Sequence, residues 1–286
     1  MAIEVFKRLE IKYIMDSERY KHITDFLTRY MNLDEFNQGG NFYSIANIYY
    51  DTVDHNIIRQ SVAKPKYKEK LRLRAYGVPE LDDKVYLEIK KKYKGIVYKR
   101  RVTMKLHEAY DFINTWEVPA EKSKKFVRNQ VFQELKHTLN FYNPVPMIYL
   151  AYDRIAYFGK SPDEGGPGRD LRISFDFNVR TRRENTGLEL GDHGEQLLPG
   201  GKVIMEVKSA TPLPQWLLDY FAEHGMRRGS FSKYGQEYKR FIKRQLEDGR
   251  SIIEPATITG DIKPPPPIQV AEPVAEAQTT TATHTA

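Results

Sequence analysis

Residues 67–76 read Tyr-Lys-Glu-Lys-Leu-Arg-Leu-Arg-Ala-Tyr. In an extended chain Leu71, Leu73 and Ala75 fall on one side and Lys68, Lys70, Arg72 and Arg74 on the other, the period-2 signature of a β-strand with an apolar and a charged face. The charged face carries one sign only. A solubilising surface mixes signs, so a face built from lysine and arginine alone needs another reason.

The same design recurs along the chain. In residues 5–13, Leu9, Ile11 and Tyr13 alternate with Arg8, Glu10 and Lys12; in 84–92, Val85, Leu87 and Ile89 oppose Tyr86, Glu88, Lys90 and Lys92. Beyond a turn at Gly95, Lys99, Arg101 and Thr103 oppose Tyr98, Val102 and Met104, so 84–104 reads as a hairpin. Strands are also read at 42–50, at 147–158 carrying Arg154, at 171–177 with Arg172, Ser174 and Asp176 on the polar face, and at 202–208 with Glu206 and Lys208. Helical spacing is read at 17–30 behind Asp16 or Ser17, at 120–141, at 214–223 and at 232–246. Eight short strands with interspersed helices, joined by connections that favour antiparallel pairing, make the fold class α+β.

Charge and composition narrow the function. The 286 residues carry a formal charge of +7. From Ser251 onward Lys263 is the sole lysine or arginine, against Glu254, Asp261, Glu272 and Glu276, so the segment 251–286 carries −3 and residues 1–250 carry +10. With four consecutive prolines from Pro264 and no aromatic residue, 251–286 is expected to be a disordered, Pro-rich acidic tail behind a folded body of 1–250. Cysteine is absent, which excludes disulfides, a thiol nucleophile and thiolate metal sites. Apolar runs stay short of a membrane span, so the chain reads as soluble and cytoplasmic. Gly200-Gly201-Lys202 precedes a strand rather than a helix and is no P-loop, and the seven histidines lack His-Glu-x-x-His spacing. The 19 tyrosines, interleaved with strands, read as packing, and no nucleic-acid partner is expected.

If helices cover the apolar faces from outside and the sheet closes, the cationic faces turn inward and line a barrel. Such a lumen is tolerable only when water or a polyanion fills it. A chain of phosphates is the occupant this predicts.

The triplet Glu-x-Lys stands on three strand faces, Glu10-Ile11-Lys12, Glu88-Ile89-Lys90 and Glu206-Val207-Lys208. In order with Leu71-Arg72-Leu73-Arg74, Tyr152-Asp153-Arg154, Leu171-Arg172-Ile173 and Phe231-Ser232-Lys233-Tyr234, the set resembles the VTC domain of polyphosphate polymerases, a branch of the triphosphate tunnel metalloenzymes. The resemblance spans about residues 4–245. It implies a closed antiparallel tunnel with helices outside, in which Lys12, Arg72, Arg74, Lys90, Arg154, Arg172 and Lys233 hold the nucleotide and the growing chain. It further implies Glu206 as ligand of a divalent metal, manganese or magnesium, with Lys208 on the same face. Lys99 and Arg101 both stand where the family has one further basic residue. Glu10 and Glu88 either orient cations, pair with them structurally, or reach metal through water.

The implied reaction is metal-dependent transfer of the γ-phosphate of ATP to an orthophosphate or pyrophosphate primer and then to polyphosphate. Hydrolytic relatives typically begin Glu-x-Glu-x-Lys, whereas this chain has Arg8-Leu9-Glu10-Ile11-Lys12, one acidic ligand fewer. That favours phosphate over water as acceptor, with a tunnel triphosphatase or a non-catalytic polyphosphate-binding module as alternatives. Eukaryotic members of the family carry regulatory and membrane-spanning modules absent from this sequence. The resemblance therefore leaves two placements, free in the cytoplasm or held at a membrane through a separate partner.

Overall fold

The computed structural model describes residues 9–94, 96–119 and 126–249. Arg8, the Gly95 turn, the first residues of the helix read at 120–141 and the tail at 251–286 lie outside the described residues. In chain order the elements are β1 (Leu9–Met15), α1 (Ser17–Leu27), β2 (Met31–Leu33), β3 (Tyr43–Asp51), α2 (Asn56–Val62), β4 (Tyr67–Tyr76), β5 (Lys84–Tyr93), β6 (Ile96–Lys105), α3 (Leu106–Thr115), α4 (Phe126–Tyr142), β7 (Val145–Gly159), β8 (Arg172–Arg182), β9 (Glu195–Gln196), β10 (Val203–Ser209), α5 (Gln215–Glu223) and α6 (Lys233–Glu247). Short 3-10 turns occupy Glu35–Gly40 and Pro162–Glu164.

One antiparallel sheet runs in the order β1-β10-β8-β7-β3-β4-β5-β6, with β2 added to β7 and β9 to β8. The eight strands read from alternation form this path, and the α+β class holds. The expected closed barrel does not form: the path ends at β1 and β6, which are not paired with each other. The reason lies at the free edge of β1. There the chain ahead of α6 takes the available backbone group, Gly229 N–H donating to the Lys12 carbonyl at 2.7 Å. The opposite edge, β6, presents Lys99, Arg100, Arg101 and Lys105, charges that discourage edge-to-edge pairing. The sheet nevertheless curls until side chains meet across the gap, Lys90 Nζ on β5 lying 3.4 Å from Glu10 Oε2 on β1.

Helices cover the convex face. α3 and α4 lay Leu106, Phe112, Ile113, Phe132, Leu135 and Leu139 over Ile48, Leu71, Leu73, Leu87 and Ile89. α1 and α5 lay Ile23, Leu27, Leu217 and Phe221 over Ile11, Tyr13, Ile173, Phe175, Met205 and Val207. Asp16 caps α1 by accepting from the Arg19 N–H at 2.9 Å. α3 has no sequence signal of a start, because Lys105 stands where a capping side chain is usual; instead Glu108 folds back to the Lys105 N–H at 2.7 Å.

α2 and α6 lie on the concave side. Phe231, Tyr234 and Tyr238 pack with Ile58 on Ile45, Tyr49, Ile148, Leu150, Val179 and Ile204. Tyr234 OH donates to Asp51 at 2.7 Å, and Asp51 also accepts from the Ile57 and Ile58 N–H groups that open α2. A bulge at left-handed Asn178 lets both Asp176 and Val179 face inward, although strict alternation would separate them.

Candidate functional site

The remaining concave surface is a trough lined by the charged faces of the strands. Cross-strand register aligns Lys70 with Lys90, Arg72 with Glu88, Glu88 with Arg101 and Lys90 with Lys99. On the other wall Lys12 lies opposite Glu206, and Glu206 opposite Ser174. Alternation along each strand thus delivers these charged side chains to one side, while Glu69, Lys91 and Arg100 point to the other, where both cations meet Glu134 of α4. Curling makes the two walls face each other.

Three buried carboxylates organise the cations. Glu88, fully buried, receives Arg72 Nε at 2.7 Å and Lys99 Nζ at 2.5 Å, with Arg74 at 3.9 Å. These charges outweigh burial and hold its carboxyl far below the ordinary range. Asp176, also fully buried, accepts both Arg154 Nε at 2.6 Å and Nη2 at 2.9 Å, and binds Lys233 from α6. Burial raises its pKa, but Arg154 and Lys233 prevail and bring it down to about 2. Glu206 lies 3.3 Å from Lys208 and 3.7 Å from both Lys12 and Arg154. Its carboxyl too is held well below the usual carboxylate range against the effect of burial.

Outside these clusters, Arg74 Nε donates to Asn47 at 2.9 Å and Nη2 to Tyr152 OH at 3.3 Å. Lys12 donates to the Phe231 carbonyl at 3.1 Å. Arg172 reaches Asp34 and Tyr43 OH at 3.4 Å each, and its Nε is buried without a hydrogen-bond acceptor among the described residues. Arg101 lies over the Tyr86 ring, 4.9 Å from its centroid, at the rim.

All the predicted site residues therefore share one concave surface. The sequence left Lys99 and Arg101 as equals; in the structure Lys99 bonds Glu88 inside the trough and Arg101 stands exposed at its edge.

Sequence reasoning did not carry forward Lys70, Asp34, Tyr49, Tyr152 and Asp176. Lys70 and Asp176 could have been found, since they alternate in phase with Arg72 and Arg172. Lys70 donates to Ser232 Oγ at 2.8 Å, and no carboxylate lies within 4 Å of its ammonium among the described residues. Burial, reinforced by Lys90, Lys12 and Lys68, lowers its pKa to about 8. Burial alone would raise the Tyr49 hydroxyl, yet Arg72 and Lys70 pull it down to about 8.

The balance of charge is the main electrostatic fact. Lys12, Lys70, Arg72, Arg74, Lys90, Lys99, Arg154, Arg172, Lys208 and Lys233 are ten cations; Glu10, Asp34, Glu88, Asp176 and Glu206 are five carboxylates. Half of this positive charge lacks a carboxylate partner in a partly desolvated trough, an arrangement that favours anions over cations.

A metal fits under one condition. Among the described residues no three His, Cys, Asp or Glu side chains converge as a ready-made site. Glu206 and Glu10 flank the same ammonium, each 3.7 Å from Lys12 Nζ. Two carboxylates are a donor set for a hard divalent ion that takes its other ligands from water and substrate phosphates.

The model of the VTC domain matches residues 7–242. The chain belongs to the VTC domain family. No curated protein matches it in sequence. Solved structures similar to this VTC domain include a candidate adenylate cyclase from Bacillus halodurans, 12% identical over 79% of this chain and 93% of that one, TM-score 0.46. Another is a Hippeastrum candidate adenylyl cyclase whose dominant activity is that of a triphosphatase, 13% identical over 85% and 97%, TM-score 0.43. These likenesses are too distant to assign an activity to this VTC domain. No helix among the described residues is long and apolar enough to cross a membrane.

Proposed function

We propose that this VTC domain is an ATP-driven polyphosphate polymerase. The observation that carries the reading is the excess of ten cations over five carboxylates on one concave surface, combined with membership of the family. In the proposed step a terminal oxygen of the acceptor phosphate attacks the γ-phosphorus of ATP, the bond from γ-phosphorus to the β,γ-bridging oxygen breaks, and ADP leaves with that electron pair. The acceptor is orthophosphate, pyrophosphate or the growing chain, which lengthens by one unit.

Phosphoryl transfer asks the protein for alignment and for neutralisation of the non-bridging oxygens. Arg72, Arg74, Arg154 and Arg172 supply planar donors suited to phosphate oxygens, and Lys12, Lys90, Lys208 and Lys233 supply point charges. Glu88 and Asp176, fixed by guanidinium groups, act as positioning residues for those arginines. Glu206, with Glu10, would hold a manganese or magnesium ion, which supplies further charge neutralisation when bound.

The test is incubation with ATP, a divalent metal and a phosphate or pyrophosphate primer, following ADP and chain length together. Polyphosphate and ADP in step support the proposal. Orthophosphate as the only new phosphate product would make the protein a triphosphatase, and triphosphate binding without turnover, unaltered by Glu206→Ala, would make it a binding module.

A further inference from the structure

The cationic trough ends in aromatic rings on the side away from α6. On β4, Tyr76 follows Arg74 by two residues and so shares its face, one pleat or about 7 Å further out. Tyr86 on β5 is the direct cross-strand partner of Arg74. Tyr43 on β3 points the same way, its hydroxyl meeting Arg172 at 3.4 Å.

The rings form a chain across adjacent strands, Tyr43 to Tyr76 at 6.2 Å and Tyr76 to Tyr86 at 5.7 Å between centroids. Phe36 extends it at 6.5 Å from Tyr43. Packing accounts for half-buried Tyr43, which lies against the inner cluster, and in part for half-buried Tyr86, but not for Tyr76 and Phe36. Tyr76 is 51% and Phe36 72% exposed, whereas tyrosines deeper on the same face, Tyr49 and Tyr152, are buried. Nor do the ring faces of Tyr76 and Phe36 serve phosphate, which offers no apolar surface to stack on.

We infer that this rim, with Tyr76 and Tyr86 at its centre, seats the nucleobase of a nucleoside triphosphate whose phosphates lie on Arg74 and the arginines behind it. An exposed ring offers a face on which any base can stack. Arg101, over Tyr86 at 4.9 Å, adds a planar cation to the same edge. The trough then has a direction. The nucleoside sits at the rim, and the opposite end of the same strands, where Lys68 pairs in register with Lys92 and Lys70 with Lys90, is left to the phosphate acceptor. The tyrosines that read as packing in sequence are thus divided in two, buried ones that support the arginines and rim ones, exposed Tyr76 and half-buried Tyr86, that select a nucleotide over inorganic phosphate chains.

The inference rests on the trough being a phosphate site, and the experiment separates the two. Equilibrium binding of ATP and of inorganic triphosphate is measured on the full chain and on Tyr76→Ala, Tyr76→Phe and the double variant Tyr76→Ala/Tyr86→Ala. The double variant is expected to bind ATP about tenfold or more weakly, with inorganic triphosphate within twofold of the parent. Tyr76→Phe, which keeps the ring, is expected to retain ATP affinity within twofold. Equal changes for both ligands, or no change for either, overturn the rim as a base seat while leaving the trough intact. Failure of the parent chain to bind inorganic triphosphate at all overturns the phosphate trough itself, and the base seat with it.

Discussion

Glu10 on β1 and Lys90 on β5 lie 3.4 Å apart, although β1 and β5 are not neighbours in the sheet. The contact spans the gap where a barrel would have closed through backbone hydrogen bonds, and it joins the walls of the trough by side chains alone. Glu10 also lies 3.7 Å from Lys12. Glu10→Gln removes one of five carboxylates, takes from Lys90 its carboxylate and leaves Lys12 to Glu206 and the Phe231 carbonyl. Inorganic triphosphate binding measured without metal should tighten severalfold. Because the pair is partly exposed, stability in a denaturant titration should change by less than about 1 kcal/mol.

Asp176 has the opposite character. It is fully buried between Arg154 and Lys233, and Asp176→Asn leaves Lys233 without its counter-ion and Arg154 with Glu206 at 3.7 Å alone. Urea unfolding should show a loss of about 3 to 5 kcal/mol, recovered in part by saturating inorganic triphosphate. The folded carboxyl titrates near 2, below an unfolded value of about 3.9. Its contribution is therefore complete above pH of about 4 and is lost as pH falls toward 2, so the parent should show an acid transition in that window that Asp176→Asn has largely lost.

Arg72 and Arg172 should separate binding from folding. Among the described residues Arg172 makes long bonds to Asp34 and Tyr43 and lies over the Phe158 ring at 4.8 Å, whereas Arg72 is locked to buried Glu88 at 2.7 Å. Arg172→Ala should weaken inorganic triphosphate by roughly tenfold with little change in unfolding midpoint. Arg72→Ala should lose comparable affinity and also stability, since Glu88 stays buried with less compensating charge.

Lys70 sets a pH dependence. Its ammonium faces Tyr49, Lys90, Lys12 and Lys68 and donates to Ser232, and its pKa is lowered to about 8 against an unfolded value of about 10.4. Only the charged form attracts anions, so triphosphate affinity should fall severalfold between pH 7 and 9. Ionisation of Tyr49, also near 8, acts in the same direction. Lys70→Gln should make the profile shallower at a lower affinity, and Tyr49→Phe should remove only its own share, because Lys99, which burial lowers to about 8, still loses its charge over the same range. For stability the sign reverses: between about pH 8 and 10.4 the unfolded lysine holds a proton the folded one has released, so this group stabilises the fold as pH rises.

Tyr234 ties α6 to α2 through Asp51. Tyr234→Phe should cost about 1 kcal/mol in denaturant unfolding, because Asp51 keeps its backbone donors. Lys12 and Lys233 are both held by the segment that opens α6, so triphosphate affinity should fall together with stability.

What the sequence by itself determined is the set of strands and the face each charge occupies. Alternation is local, and Leu71, Arg72, Leu73 and Arg74 need no distant partner to decide which of them share a side. It also placed the eight main strands, and with them the predicted site residues that strands carry, Lys233 on α6 being the exception. α2 and α3 were not legible because their capping comes from elsewhere, from the Asp51 carboxylate at the end of a strand and from Glu108 folding back on Lys105. Only the tertiary structure decided how far the sheet closes, because that depends on which group reaches the free edge of β1, and Gly229, more than two hundred residues along the chain, reaches it. The same holds for the cations that stay uncompensated. Asp176 is one acidic residue among 38 in the sequence, and only its register with Arg154 on β7 and the arrival of Lys233 on α6 make it the counter-ion of two charges while Lys70 is left with a hydroxyl.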